Sequence, residues 1–321
     1  MASGKWIFKT CKNMSVEEIR NALETQNGMY FQTSGSTGLP KTIFFTKEQI
    51  FRSAMRTADF FNIQSDDRVF CALPLNYVAG RMMVLRAHLL NWNLVIQQPS
   101  AFPKIEKNYK FAVFTPHQFI NLFEKSPQDF SKIEMILLGG APFVDNEILK
   151  SIHKLPCQVY LGYGMTETLT HIAIRNLSKN ETNYTPLPNV EVRSNENDIL
   201  SIKDNLLQLD WFETDDMVHI NEGKFSISGR ASSVINSGGV KIFPESIESR
   251  IKHLMSSEFY ISSEQDSKLG ERVILISTSE VSELQRGQIE EILGKIESPK
   301  VYLVTKEIEK TSSGKIIRKK H

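Results

Sequence analysis

Thr33-Ser34-Gly35-Ser36-Thr37-Gly38-Leu39-Pro40-Lys41 is the stretch whose reading decides the rest of the chain. Its glycines permit φ > 0 and let backbone come close to a ligand. Successive backbone N–H groups in such a loop form a concave anion site. The hydroxyls add donors, and Lys41 adds a mobile positive charge. Together they suit a polyphosphate. The Walker pattern is excluded, because it needs Gly-Lys-Ser/Thr after a four-residue spacer, whereas Leu39-Pro40 separates Gly38 from Lys41. Pro40 also argues against a helix starting directly behind the glycines. The same composition describes an ordinary solvated loop equally well. The flanks favour the phosphate grip: Met29-Tyr30-Phe31-Gln32 and Thr42-Ile43-Phe44-Phe45 both read as strands, which makes the loop the tip of a hairpin-like hook.

Outward from the loop, 321 residues suffice for about two domains at ~150 residues each. Hydrophobic residues make up 40% and charged residues 23%, an ordinary globular balance able to bury a sizeable core. The net charge of +1 provides no global field for nucleic acid or an anionic membrane, the basic run Lys315 to Lys320 being a local exception. Cys11, Cys71 and Cys157 are far apart and odd in number, so a reducing cytoplasm is expected rather than a disulfide framework, and no pair has zinc-ligand spacing. The first residues lack an uninterrupted apolar h-region, and no window approaches the ~18 apolar residues of a membrane span. Oligomeric state is not written in the pattern.

The periodicities predict an α/β fold. Helices are expected over 15–23, over 46–61 with a Thr46/Gln49 capping box, over 80–90, from His117, and over 144–153. On the second, Ile50, Phe51, Ala54, Met55, Ala58 and Phe61 share one face. Strands are expected over 68–73, 93–98, 111–115, 134–138 and 158–161. This alternation predicts a mostly parallel sheet flanked by helices on both faces. After Arg175 the segments 189–194, 198–202, 206–211, 216–220 and 223–227 are short and read as a small antiparallel β region ending at Gly229-Arg230. A small α+β unit follows: a strand near 234–235, a helix over 244–254, strands over 258–263 and 271–278, a helix from Ser282 with Ile289, Ile292, Leu293 and Ile296 on one side, and a strand over 300–305. The expected division is 1–231 for a large N-terminal domain and 232–321 for a C-terminal one.

Several other constellations carry chemistry. Tyr163-Gly164-Met165-Thr166-Glu167-Thr168 follows an apolar strand, at the end of a parallel sheet where ligands bind. Tyr163 could stack on a base, Thr166 could donate to phosphate, and Glu167 could hold Mg²⁺, though Tyr-Gly also makes a simple turn. Gly139-Gly140-Ala141-Pro142 leaves room for something flat, or is a tight turn. Asp216 can accept both hydroxyls of a ribose and Arg230 can reach ribose or phosphate, or both are surface charges. Lys315 in Thr311-Ser312-Ser313-Gly314-Lys315 could swing toward a developing anion, or belongs to a solvated basic tail.

In order, these motifs, with Trp211-Phe212-Glu213-Thr214-Asp215-Asp216 and the run from Gly229 to Glu248, resemble the core motifs of adenylate-forming enzymes, the superfamily of acyl-CoA synthetases, adenylation domains and luciferases. The resemblance covers Thr33 to about Arg318. It implies that a carboxylate attacks the α-phosphorus of ATP and that a thiol, usually of CoA, then displaces AMP. It gives the loop Thr33, Ser34, Gly35, Ser36, Thr37, Gly38 and Lys41 to the β- and γ-phosphates, Tyr163 to adenine, Thr166 to the α-phosphate, Glu167 to Mg²⁺, and Asp216 and Arg230 to the ribose. Gly140, Ala141 and Gly164 join the nucleotide site. Lys315 bridges carboxylate and α-phosphate. The C-terminal domain is then mobile: it rotates about a hinge at Ser232 and brings Gly238-Gly239 to the CoA side. Three departures stand out. Ser232 replaces the family's usual Asp or Lys, Asp215 replaces the glycine before the ribose aspartate, and only 32 residues precede the phosphate loop.

The short build resembles the compact o-succinylbenzoate–CoA ligases of menaquinone synthesis. Leu73-Pro74-Leu75-Asn76-Tyr77-Val78-Ala79-Gly80 matches the acyl-pocket segment, with Asn76 and Tyr77 as pocket residues. Six residues on stands Arg86, where the resemblance implies an arginine that reads the substrate's second carboxylate. An arginine on so apolar a helix needs a partner. It could also snorkel or pair with a protein carboxylate. Arg81 is a weaker candidate for the same role. His117 and Thr115 either line the acyl site or cap a helix. The expected activity is thus an ATP-dependent carboxylate–CoA ligation of o-succinylbenzoate. The alternatives are ligation of another aryl or fatty acid, or a stand-alone adenylation module loading a carrier protein.

Overall fold

The computed structural model describes residues 14–33, 41–143, 145–310 and 316–319. Local hydrogen bonds set the first elements. Ser15 accepts from the Glu18 N–H at 3.2 Å while the Glu18 carboxylate accepts from the Ser15 N–H at 2.8 Å, which opens α1 (Val16–Gln26). β1 (Gly28–Gln32) and β2 (Thr42–Thr46) form the expected antiparallel hairpin, with Tyr30 opposite Phe44. Thr46 and Gln49 form the anticipated capping box for α2 (Lys47–Phe61).

Next come β3 (Arg68–Cys71), α3 (Val78–Leu90), β4 (Asn93–Ile96), β5 (Tyr109–Phe114), α4 (Pro116–Lys125), β6 (Ile133–Leu138), α5 (Asn146–Ser151), β7 (Gln158–Gly164), β8 (His171–Asn176) and β9 (Thr185–Pro186). The strands make one sheet in the order β4-β3-β5-β6-β7-β8-β9. The first five are parallel, and β8 and β9 extend the sheet antiparallel. The alternation of side chains buries both faces. Val69, Cys71, Phe111 and Val113 pack toward α2 and α3, and Phe70, Ala112, Phe114 and Leu138 toward α4 and α5. The fold is therefore the expected mixed α/β class.

Three expectations are corrected here. The buried face of α2 omits Phe51 and Met55, which are 39% and 36% exposed, and takes in Ser53, Arg56 and Thr57 instead. Each of these buried polar groups has a partner: Ser53 Oγ lies 3.4 Å from Thr170 Oγ1, Arg56 meets Asp204 and Thr57 meets His171. The fifth helix runs only to Ser151 and tightens into a 3₁₀ turn at Ile152–Lys154. The strands β8 and β9 were not anticipated; β8 is the next strand after the one expected over 158–161.

The antiparallel sheet is β10 (Val190–Ser194), β11 (Ile199–Asp204), β12 (Leu209–Asn221) and β13 (Lys224–Arg230). The expected strands 206–211 and 216–220 are one continuous strand, β12. Its register against β11 slips between the Ile199–Met217 and Ser201–Glu213 pairs, so the polar run bulges near Thr214–Asp216 instead of breaking the strand.

The C-terminal elements are β14 (Ile235–Ser237), β15 (Val240–Ile242), α6 (Pro244–Ile251), β16 (Phe259–Asp266), β17 (Gly270–Ser277), α7 (Glu283–Glu297) and β18 (Val301–Val304). They build a five-stranded sheet around a cluster that includes Ile235, Ile247, Ile261, Leu275 and Ile289. β15 was not anticipated. In α7 the expected apolar face fails at Ile296, which is 57% exposed, because Gly294 leaves helical geometry at φ 72°. Among the described residues no helix is long and apolar enough to cross a membrane.

Candidate active site

The loop expected to grip phosphate is closed at its base. The Thr33 N–H donates to the Lys41 carbonyl at 2.9 Å, and the Lys41 N–H donates to Thr33 Oγ1 at 3.0 Å. These bonds hold the two ends of the hook together. Ser34, Gly35, Ser36, Thr37 and Gly38 lie outside the described residues.

The second segment expected to bind nucleotide follows β7. A Cβ on Gly164 would stand 2.0 Å from the Thr170 carbonyl oxygen, so the chain can fold back here only with glycine. Thr168 closes the loop with its hydroxyl, which donates to the Thr170 carbonyl at 2.8 Å and accepts from the Met165 N–H at 3.0 Å. Leu169, fully buried, is held at φ 63°. Thr166 and Glu167 are half-buried at the tip of this loop. Gly140 (φ 86°) and Ala141 are exposed beyond the end of the neighbouring β6. All of these positions lie past the carboxyl ends of parallel strands.

The structure brings Tyr163, Asp216 and Arg230 together. The Tyr163 hydroxyl donates to Asp216 Oδ2 at 2.6 Å, and Arg230 Nε stands 3.6 Å from Asp216 Oδ1 across the β12–β13 pair. The Tyr163 ring is buried against Phe225 and Tyr184, with centroids 5.2 and 5.8 Å away. Burial, followed by the Asp216 charge, pushes its phenol well above the usual range.

Arg86, expected to face the acid, neither snorkels nor forms an ion pair among the described residues. It is 2% exposed, donates from Nη2 to Thr170 Oγ1 at 2.9 Å, and its Nε has no hydrogen-bond partner. Burial, then the neighbouring Arg56 charge, lowers its pKa to about 9, so it remains cationic at neutral pH. Arg56 is paired with Asp204 at 2.8 Å. His171, whose Nε2 lies 3.4 Å from Thr57 Oγ1, is held well below the usual imidazole range by burial, then by Arg86 and Arg56. Arg56, Thr170 and His171 were missed by sequence reasoning. Their signal was there: Ser53, Arg56 and Thr57 repeat at helical spacing on α2, and Thr170-His171 directly follow the Thr-Glu-Thr run.

Arg81 serves the fold. It donates to the Tyr30 carbonyl at 3.0 Å and to the Leu75 carbonyl at 3.3 Å, and its guanidinium lies over the Phe31 ring. Tyr77 is half-buried at the N-terminus of α3, next to exposed Asn76. Thr115 is the N-cap of α4, accepting from the Gln118 N–H at 3.2 Å. His117 is exposed and accepts from Asn121 of its own helix at 3.2 Å.

In the C-terminal unit, Gly238 (φ 58°) and Gly239 (φ 82°) make the two-residue turn of the β14–β15 hairpin, where both positions require positive φ. Lys315 lies outside the described residues. The segments flanking it are joined by a bridge between Lys310 and Ile316. No group of three or more His, Cys, Asp or Glu among the described residues could cage a metal. A lone half-buried carboxylate at Glu167 instead fits Mg²⁺, which takes one or two carboxylates plus phosphate oxygens.

The AMP-binding enzyme family matches residues 16–198. The 2-succinylbenzoate–CoA ligase of Salmonella typhimurium is 25% identical over 259 residues, which cover 76% of this chain and 56% of that protein. The chain thus spans little more than half the length of that relative. The acyl-CoA synthetase (AMP-forming)/AMP-acid ligase II-like protein of Dyadobacter fermentans is 30% identical, with 95% of each chain covered and a TM-score of 0.61. The o-succinylbenzoate coenzyme A synthetase of Bacillus subtilis, in complex with ATP and magnesium ion, shares the fold at a TM-score of 0.77 and 23% identity, over 90% of this chain and 68% of that one. The family match spans more than half of the residues and takes in the hairpin hook, Arg86 and the Thr166-Glu167 loop: the chain belongs to the AMP-binding enzyme family.

Proposed function

We propose that this protein activates a carboxylic acid with ATP as an acyl adenylate and transfers the acyl group to coenzyme A, and that the acid is o-succinylbenzoate. The observation that carries the substrate is Arg86: a buried, cationic guanidinium with an open Nε and no carboxylate partner among the described residues. A buried charge of this kind is costly until an anion meets it. An acid with a second carboxylate supplies that anion while its first carboxylate reacts. The Salmonella relative is named for such an acid.

In the first half-reaction a carboxylate oxygen attacks the α-phosphorus, the new P–O bond forms, and pyrophosphate leaves with the electrons of the broken P–O bond. In the second, the CoA thiol loses its proton to solvent, its sulfur forms a C–S bond to the acyl carbon, and AMP leaves with the electrons of the broken acyl C–O bond. Such transfer is largely positioning and charge neutralisation. The hook between Thr33 and Lys41 orients the β- and γ-phosphates. Thr166 donates to the α-phosphate, and Lys315 neutralises charge between carboxylate and phosphorus. Asp216 and Arg230 hold the ribose, Tyr163 stacks on adenine, and Gly140, Ala141 and Gly164 border the nucleotide. Asn76, Tyr77 and His117 border the acyl end. Bound at Glu167, Mg²⁺ would neutralise phosphate charge. The unit from Ser232 onward turns between the two steps, bringing Gly238-Gly239 to the pantetheine arm.

The test is ATP–pyrophosphate exchange against a panel of carboxylic acids, with thioester formation then followed on free CoA. Exchange strongest with o-succinylbenzoate and thioester on CoA are expected. Exchange with a fatty or monocarboxylic aryl acid alone would overturn the substrate. An adenylate that never reaches free CoA would indicate a carrier-protein acceptor.

A further inference from the structure

The two positions inside the motifs at which this chain departs from the adenylate-forming pattern, Asp215 and Ser232, meet each other. Asp215 Oδ1 accepts from the Ser232 N–H at 3.0 Å, and Oδ2 accepts from the Ser232 hydroxyl at 2.5 Å. The usual glycine at 215 has no acceptor to offer, and an Asp at 232 would place a second carboxylate against the first, whereas Ser232 supplies a hydroxyl that the Asp215 carboxylate accepts.

We propose that Asp215 is a positioning residue that latches the turn at Ser232 and so sets the resting orientation of the C-terminal unit. This rests on the reading above, in which that unit turns between the half-reactions. The turn Ala231–Ser233 is the covalent link between β13 and β14, so rotation of the C-terminal sheet about it must change backbone angles there. Its two sides are anchored differently. Asp215 stands in the β12 bulge. There the Asp216 N–H donates to Thr214 Oγ1 at 3.0 Å, and that hydroxyl donates to the Leu200 carbonyl at 3.0 Å, which fixes the acceptor to the antiparallel sheet. On the other side, the Ser233 hydroxyl lies 3.3 Å from Glu245 Oε1 on the first turn of α6, and Glu245 stands 3.4 Å from Arg318. The turn is thus clamped between the sheet that carries Asp216 and the helix that receives the C-terminal segment. Two charge-assisted bonds from one carboxylate hold one residue in a single geometry. The latch lies one residue from the carboxylate proposed for the ribose.

The experiment compares the full-length wild type with Asp215→Ala and Asp215→Asn, the latter keeping one acceptor oxygen. Amide hydrogen exchange at Ser232 and small-angle scattering are measured without ligand, and the ratio of adenylation to thioester formation is measured separately. In Asp215→Ala, exchange at Ser232 is expected to rise about tenfold or more. The scattering should shift to a broader distribution of dimensions, and the ratio of half-reactions should change several-fold, with Asp215→Asn intermediate throughout. Unchanged exchange overturns the latch. Faster exchange with an unchanged scattering profile reduces it to a local bond and also overturns it. If the wild type activates no acid at all, the functional reading fails, while exchange and scattering still decide the latch.

Discussion

Arg81 and Arg86 stand five residues apart on α3, and both are almost completely buried. Five residues turn a helix by about 140° beyond a full turn, so the two guanidinium groups leave it in different directions. Arg81 reaches the backbone of the hairpin hook, and Arg86 reaches Thr170 at the end of the sheet. Their substitutions should separate accordingly. Arg86→Ala removes charge-assisted bonds to the bound acid of roughly 1.5–3 kcal/mol, so the KM for o-succinylbenzoate rises about 10- to 100-fold while that for ATP stays nearly constant. Arg81→Ala leaves two carbonyls without their donor and lowers the unfolding free energy by about 2–3 kcal/mol, with KM for the acid unchanged. Steady-state kinetics with both substrates and urea titration of both variants check the pair. An equal effect of the two on acid KM would defeat the assignment. Both arginines were visible in the sequence as charges on an apolar helix. Their partners were not, because these depend on what α3 packs against.

The elements whose signals are local were legible. The capping boxes at Thr46, Thr115 and Ser282 form as their i, i+3 spacing demands, since donor and acceptor sit within one turn. The hairpin flanking the phosphate loop likewise follows from two apolar strands joined by a turn-rich run. Misread elements share a different cause. Phe51 and Met55 fit the helical period of α2, yet that helix buries Arg56 because Asp204, from the antiparallel sheet, is waiting for it. β12 carries seven consecutive polar or aromatic residues, Asp210 to Asp216, through a bulge that only its two neighbouring strands impose. The loop after β7 is tightly constrained at Gly164. Gly164→Ala places a methyl group against the Thr170 carbonyl and is expected to cost about 3 kcal/mol of stability. Because the same loop carries Thr166 and Glu167, adenylation should fall with it. Denaturant midpoints check the stability, and a native-like midpoint would show that the close approach relaxes at no cost.

Across the whole molecule, buried charge ties distant segments together. Glu248 on α6 receives Arg318 at 2.6 Å and the Ile261 N–H at 2.8 Å, with Glu245 beside it. Burial outweighs the Arg318 charge and lifts its carboxyl to a pKa of about 7. Above its unfolded value the folded chain holds a proton that the unfolded chain has released, so this group's contribution to stability falls as pH rises from about 4.5 to 7. Glu248→Gln keeps the site neutral at every pH. Relative to the variant, the wild type should lose about 2–3 kcal/mol between pH 5 and pH 8, as read from urea midpoints at both. Parallel pH profiles would refute the shift. The sequence by itself determined the α/β class, the order of the motifs and the helix caps, because periodicity, capping and turn chemistry act between residues a few positions apart. The tertiary structure alone decided that Arg86 meets Thr170, that Tyr163 meets Asp216 and that Asp215 meets Ser232, partners 84, 53 and 17 residues apart. Such contacts depend on strand register and helix docking, which the packing of the whole core sets.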